Sequence, residues 1–370
     1  STKYDNSEDE MPTTEADNGV VAADLTGKEY DDPLWEDLLD QLSVDDMISM
    51  VNLAGFQTVA VDSVGKIGTL DSDGPAGLND WYTGVYGTAY STEVLIAQTW
   101  NKDLAHRIGE AIGQEYADCR IFGAYAPAMN IHRSAFAGRN FEYYSEDGVL
   151  SGHIASNTVN GMATKGVYAY IKHFVLNDQE TNRCALLQTY SDEQVIREIY
   201  LKPFEMCVKN FEEKALGVMS SFNFIGNRSA GANPNLLNNV LRDEWGFRGM
   251  VLSDWNGSYG YQITDDFVRN GNDAMLGFNT QESNKITNTS PTMVSAMRQA
   301  CKNILYTVVN SGNYTIEDLN ADKMPNMTKM FIGIDVAVGI ITIGAMAIVL
   351  VRYLKKRKKT TIEVVSETEE

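Results

Sequence analysis

The sequence predicts an α/β chain, a (β/α)8 TIM-type barrel followed by one C-terminal transmembrane helix. Three observations carry this expectation. Between residues 32 and 312, short apolar runs alternate with amphipathic stretches about seven or eight times, and such strand–helix repetition builds a parallel sheet. Polar residues follow one apolar run after another, where a barrel presents the C-terminal ends of its strands. Residues 331–351 are apolar except for one acid.

Residues 1–31 open with STKYDNSEDEMPTTEADN, polar and acidic. This composition predicts a disordered linker, expected to follow a preceding domain. PLWEDLLDQLSVDDMISMVNLA (33–54) places Leu34, Leu38, Leu42 and Met47 near helical spacing. KIGTLDSDGP (66–75) reads as a strand running into a polar loop. STEVLIAQTWNKDLAHRIGEAIGQEYADC (91–119) is one long helical stretch, and IFGAYAPAMNI (121–131) a strand and loop. The same alternation gives helices at 148–166, 191–211, 232–246, 263–271 and 290–312. Asn233 and Pro234 suit a helix start. Strands fall at 168–178, 216–226, 249–257 and 273–279. A doubly wound open sheet is the alternative, disfavoured because no glycine-rich phosphate loop follows the first strand.

Composition narrows function. Apolar residues make up 44% of the chain, which supplies a sizeable core. Thirty basic residues against 50 acidic ones, a formal charge of -20, exclude a nucleic-acid backbone as partner. Cys119, Cys184, Cys207 and Cys301 are widely spaced, with no metal-ligand pattern. No metal and no cofactor are expected.

Residues 331–351 are long enough, as a helix, to cross a hydrocarbon layer of about 30 Å. Asp335 lies near the N-terminal end of this stretch. RYLKKRKK follows, six basic residues between Arg352 and Lys359. This stop-transfer pattern places the tail, 352–370, in the cytoplasm and the barrel on the other side of a single-pass membrane protein. Residues 313–330 are then a juxtamembrane linker.

The strand ends carry Asp73, Asn130 with Arg133 and Arg139, Lys172 with His173, Asn223, Asp254 and Asn279. Asp, Lys, Arg and His suit the vicinal hydroxyls of a sugar, and Trp255 offers a ring for a sugar face. A carboxylate such as Asp254 beside it is placed to attack an anomeric carbon.

GMVLSDW (249–255), KHFVLNDQETNR (172–183), APAMNIHRSAFAGRNFEYYSED (126–147) and DSDGPAG (71–77) resemble the signature stretches of glycoside hydrolase family 3, the β-glucosidase and β-xylosidase group. The resemblance covers about residues 33–310. It implies Asp254 as nucleophile of a retaining, exo-acting β-glycosidase working through a covalent glycosyl–Asp intermediate, most simply a β-glucosidase. It implies substrate contacts from Asp73, Arg139, Lys172, His173, Arg183, Phe222 and Trp255, with a β-glucoside or short β-linked oligosaccharide as substrate. Arg183 has an alternative role in an ion pair with Glu180 or Asp178. Glu142 is as readily a pairing partner as a substrate contact.

Two departures matter. MSSFN places Phe222 where the family usually has Tyr, removing a hydroxyl near the nucleophile; one lost hydrogen bond costs about 0.5–1.5 kcal/mol. The general acid/base, usually supplied by a sandwich domain, has no candidate here, and the KHFPGHG signature of a subgroup with an Asp–His pair is absent. A sandwich domain, in a permuted order that fits the acidic linker, or a partner chain is expected to supply it. The second reading is an inactive, membrane-anchored carbohydrate-binding barrel.

Overall fold

The computed structural model describes residues 4–257, 259–278, 284–316 and 326–366. The chain divides into two units, Ser1–Asn320 and Ala321–Glu370. Asn279 and half of the expected juxtamembrane linker, residues 317–325, lie outside the described residues.

The first unit is built on a six-stranded sheet: β1 (Gln57–Thr58), β2 (Thr69–Asp73), β3 (Gly123–Tyr125), β4 (Tyr168–Phe174), β5 (Gly217–Ser220) and β6 (Met250–Leu252). From β2 to β6 every neighbouring pair is parallel. The exception is β1, antiparallel to β2 through Gln57↔Leu70 and Thr58↔Thr69. A parallel return needs a crossover of about a dozen residues or more, and the intervening residues 59–68 hold a short turn, Asp62–Val64, closed by the antiparallel bridge of Val61 to Lys66. The expectation of eight parallel strands is corrected accordingly: this is a TIM-type barrel with a mixed sheet.

Beyond β6 the expected strand at 273–279 forms one bridge, Ala274 to Leu252. Its backbone still continues the wall: Ser253 N donates to Ala274 O and Met275 N donates to Val51 O, both at 2.9 Å. That second bond joins the far side of the sheet to the end of helix α1 (Val44–Asn52).

Two expected long helices are broken at their caps. Leu34–Leu39 ends before Ser43, whose Oγ accepts from Asp46 N at 3.1 Å while Asp46 returns the bond to Ser43 N at 3.0 Å. This capping box starts α1 afresh. Likewise Glu93–Gln98 stops at Trp100, in the left-handed region at φ 54°, and Asn101 caps α2 (Lys102–Asp118) through Leu104 N. Helices α3 (Gly148–Ala163), α4 (Lys202–Lys209), α5 (Thr264–Arg269) and α6 (Pro291–Val309) complete the outer layer used below.

Inside the sheet, Tyr168 and Tyr170 of β4 donate to the two carboxylate oxygens of fully buried Asp71, at 2.6 and 2.8 Å. The strand bearing Asp254 is anchored elsewhere. Asp273 accepts from Val251 N (2.6 Å), Arg242 Nη2 (2.6 Å) and Asn303 Nδ2 of α6 (2.8 Å).

The acidic N-terminal stretch departs from the expected disorder from residue 4 onward. Ala22 and Leu25 are fully buried. Asp5 pairs with Arg269 of α5 at 2.7 Å and accepts from Asn288 at 3.0 Å, and Arg298 of α6 donates to Thr13 O. Two apolar anchors and basic partners on the barrel outweigh a composition that favours solvation.

The second unit is one helix, Asn326–Ser366. Its Phe331–Lys356 portion is long and apolar enough to cross a membrane, with side chains such as Phe331, Ile341 and Val349 exposed.

Asp273→Ala is expected to lower stability by about 3–5 kcal/mol, because it strands the Arg242 guanidinium inside the fold. Thermal unfolding followed by circular dichroism checks this; a loss under 1 kcal/mol contradicts the anchoring role.

Candidate active site

At the C-terminal ends of the strands a cavity of about 350 Å³ opens, within the range of about 300–1,000 Å³ for small-molecule sites. Asp73 from the end of β2, Arg139 from the loop after β3, Lys172 and His173 from β4, Arg183 from the loop after β4, and Asp254 and Trp255 from the end of β6 all line it. Thus seven of the eight residues singled out from the sequence meet in one place. Phe222 does not line it. It is buried behind Arg183, whose guanidinium lies 4.7 Å above its ring.

Successive strand residues normally face opposite sides, yet Lys172 and His173 both reach the cavity. The register of β4 against β5 slips between Ile171 and Phe174, and such irregularities re-aim side chains near sites. Asn130 fixes this point: its Oδ1 accepts from His173 N at 2.8 Å and its Nδ2 donates to His173 O at 2.9 Å.

The cations are each committed to carboxylates. Lys172 Nζ lies 2.8 Å from Asp73 Oδ1 and 3.6 Å from Glu142 Oε1. Glu142 also holds Arg139 in a fork, Nε at 2.6 Å and Nη2 at 2.7 Å, the geometry of the strong bidentate pair. Arg183 Nε pairs with Glu180 at 3.0 Å, while Asp178 pairs with Arg133 instead. Burial opposes charge on Lys172 and on Asp73. Their mutual attraction outweighs it, holding the amine above its usual range and the carboxyl below.

Burial, and then the nearby charges of Arg139, Lys172 and Arg183, push the pKa of His173 well below the usual value. It is neutral. Arg139 Nη2 donates to its Nε2 at 3.1 Å, so the ring proton sits on Nδ1, 3.4 Å from the Tyr143 hydroxyl. The 3.8 Å approach of Nε2 to Asp254 Oδ2 is therefore not an ion pair.

Asp254 has one oxygen fixed and one free of hydrogen bonds. Oδ1 accepts from Trp255 N at 2.7 Å, and buried Oδ2 has no partner. Burial raises its pKa to about 6, against the pull of Arg139, Trp255 N–H, Arg183 and Lys172. At neutral pH it is an ionised, undercoordinated carboxylate in a cationic setting, the condition of a nucleophile. The other lining carboxyl, Asp73, is held ionised by Lys172. Among the described lining residues none is a protonated carboxyl ready to donate.

Sequence reading missed the opposite wall. Phe56, Trp81, Tyr125, Met219 and Leu276 also line the cavity. Apolar residues scattered through five segments carry no local signal; only the pair Trp81–Tyr82, set in a polar turn, stands out in the sequence.

The Glycosyl hydrolase family 3 N terminal domain matches residues 76–276, just over half of the chain. A beta-glucosidase of Rhizobium radiobacter is 41% identical over 231 residues, 60% of this chain and 28% of the relative. Beta-glucosidase A of Butyrivibrio fibrisolvens is 39% identical over 251 residues, 65% of this chain and 29% of its own. The chain thus spans less than a third of these relatives. The structure of beta-glucosidase 3B from Thermotoga neapolitana in complex with glucose superposes with a TM-score of 0.68 at 33% identity, over 80% of this chain and 45% of that one. The Kluyveromyces marxianus beta-glucosidase with glucose gives a TM-score of 0.69 at 29% identity, over 79% and 35% of the two chains.

Asp254 is expected to titrate near pH 6, and Lys172→Met to raise that value further by removing a stabilising charge. Carboxyl ¹³C NMR with labelled Asp reads both. A carboxyl whose pKa is raised on folding binds its proton more tightly in the native state, so its contribution to stability falls as pH climbs from about 4 to about 6. Asp254→Asn is expected to flatten that part of the pH–stability curve.

Proposed function

The chain belongs to glycosyl hydrolase family 3, and on that premise we propose that it is the catalytic barrel of a retaining, exo-acting β-glucosidase anchored in a membrane. The observation that carries this reading is the bare Oδ2 of Asp254 in a cavity walled by Arg139, Lys172 and Arg183. Asp73, Arg139, Lys172 and His173 surround the space of a terminal sugar, where fixed charges and the neutral imidazole meet its hydroxyls. Relatives named beta-glucosidases and neighbours solved with glucose support the choice of glycone.

In the proposed reaction Asp254 Oδ2 attacks the anomeric carbon from the face opposite the leaving group. The C–O bond to the aglycone breaks, its electron pair stays on the aglycone oxygen, and a glycosyl ester forms. Water then attacks the anomeric carbon while one of its protons returns to the group that protonated the aglycone; the bond to Asp254 breaks, the sugar leaves and the carboxylate is restored. The leaving oxygen needs a proton, and we assign its donor to a sandwich domain or partner chain beyond the described residues. That the lining carboxyls are both ionised is the observation favouring the second reading, a barrel that binds sugar without hydrolysing it.

Residues 331–351 are proposed as a single membrane span, with the basic run after it on the cytoplasmic side. In sealed vesicles of that orientation, protease added outside is expected to digest the barrel and spare the C-terminal tail; digestion of the tail contradicts it.

The activity test uses 2,4-dinitrophenyl β-glucoside, whose leaving group departs without protonation. A burst of phenolate is expected, rising with pH through about 6 as Asp254 ionises, and at least about 10³-fold slower in Asp254→Asn. Glucose binding without a burst supports the binding barrel.

A further inference from the structure

His173 Nε2 lies 3.8 Å from the bare Oδ2 of Asp254. Which ring nitrogen holds the imidazole proton therefore decides whether that oxygen stays bare. With the proton on Nδ1, Nε2 presents a lone pair and accepts from Arg139 Nη2 at 3.1 Å. With the proton on Nε2 the ring becomes a donor there, and an approach of about 1 Å closes a hydrogen bond to Oδ2. The partner of one ring nitrogen sets the proton on the other. Arg139 alone is a weak selector. Its Nη2 also donates to Glu142 Oε1, at the shorter distance of 2.7 Å, and would keep that bond if the contact to His173 opened.

The other nitrogen faces Tyr143. This side chain follows the turn Asn140–Glu142, so one short segment presents it together with Arg139 and Glu142. It is buried, its hydroxyl lies 3.4 Å from His173 Nδ1, and the two rings meet edge on at 6.2 Å between centroids. The hydroxyl is held in place from several sides. Tyr143 O accepts from His132 Nε2 at 2.9 Å, and the Tyr143 hydroxyl accepts from buried Asn177 Nδ2 at 3.0 Å. The Arg139 guanidinium stands 5.9 Å above the phenol ring. Burial pushes the phenol above its usual pKa, so the group is a neutral hydroxyl.

We propose that Tyr143 is a positioning residue for the attacking group: its hydroxyl accepts the Nδ1 proton of His173, which keeps a lone pair on Nε2 and leaves Asp254 Oδ2 uncommitted. The proposal rests on the reading of Asp254 as the nucleophile. Tyr143 does not line the cavity, so it acts through His173 and touches no substrate. Without the hydroxyl, Nδ1–H would be a buried donor with no partner, a costly arrangement. Burial and the charges of Arg139, Lys172 and Arg183 keep the ring from taking a second proton. The remaining relief is to carry the single proton on Nε2, where the Asp254 oxygen accepts it. Asp254 would then be hydrogen-bonded on both oxygens, which stabilises its ionised form and slows its attack.

The test is long-range ¹H–¹⁵N correlation spectroscopy of the full chain in detergent with ¹⁵N-labelled histidine, in which the two tautomers give different patterns. His173 is identified by the signal missing in His173→Gln. Wild-type His173 is expected as the Nδ1–H tautomer at neutral pH. In Tyr143→Phe, which keeps the ring and removes the hydroxyl, the Nε2–H tautomer is expected to dominate, with His106, His132 and His153 unchanged as the sign of an intact fold. Asn177→Ala, which removes the donor that steadies the hydroxyl, is a second variant, expected to give a mixture. Asp254, followed by carboxyl ¹³C NMR, is expected to titrate lower in Tyr143→Phe than in the wild type. Its burst with 2,4-dinitrophenyl β-glucoside is expected to slow about three- to ten-fold. A packing role alone predicts the wild-type tautomer and the wild-type Asp254 titration in Tyr143→Phe, and that result overturns the proposal. An Nε2–H tautomer in the wild type overturns it too, and an unmixed wild-type tautomer in Asn177→Ala counts against it. Absence of a burst in the wild type is a separate result: it sinks the glucosidase reading, while the tautomer and the titration still decide the role of Tyr143.

Discussion

Lys172 brings a full positive charge into the wall of the barrel, where only 4% of its side chain meets solvent. A buried ammonium survives only with anionic partners close at hand, and Lys172 has two, Asp73 and Glu142. Much of the site follows from this requirement. Asp73 is kept ionised by the same contact. Glu142, drawn in by Lys172, has its remaining capacity taken by the Arg139 fork, and Arg139 in turn donates to His173 and fixes its tautomer. Two strand ends, those of β2 and β4, and the loop after β3 are thereby tied into one polar network around the cavity.

The network leaves one group incompletely satisfied. Asp254 receives a single backbone N–H and faces the cations at longer range. Its remaining oxygen has the electrostatic stabilisation to be charged at neutral pH without the hydrogen bonds that would blunt it. Where the neighbouring carboxyls are saturated by partners, this one is kept available. Asp73, Glu142 and Glu180 each face a cationic partner.

The cavity has two chemically unlike ends. At one, charges and an imidazole offer directional contacts of the kind hydroxyl groups need. At the other, rings gather on Phe56. The two ends share Trp255, adjacent in sequence to Asp254. Behind them, Asp273 and Arg242 anchor the strand that carries both.

Read along the chain alone, the residues reveal the alternation of strand and helix, the polar residues at the strand ends, and an apolar stretch suited to a membrane. These are legible because each depends on neighbours in the chain: periodicity, length and local motif. The sequence also brought seven pocket residues to notice through four motifs, since each motif spans a single loop or strand end. What only the tertiary structure decided depends on groups far apart in sequence. β1 is antiparallel because its connection is too short for a crossover, given where β2 lies. Phe222 packs against the guanidinium of Arg183, which comes from another loop. The acidic N-terminal stretch packs down through partners some 260 to 290 residues away. The aromatic wall is assembled from Phe56, Trp81, Trp255 and Phe278, with no spacing to announce it, because a surface made by packing has no period in the chain.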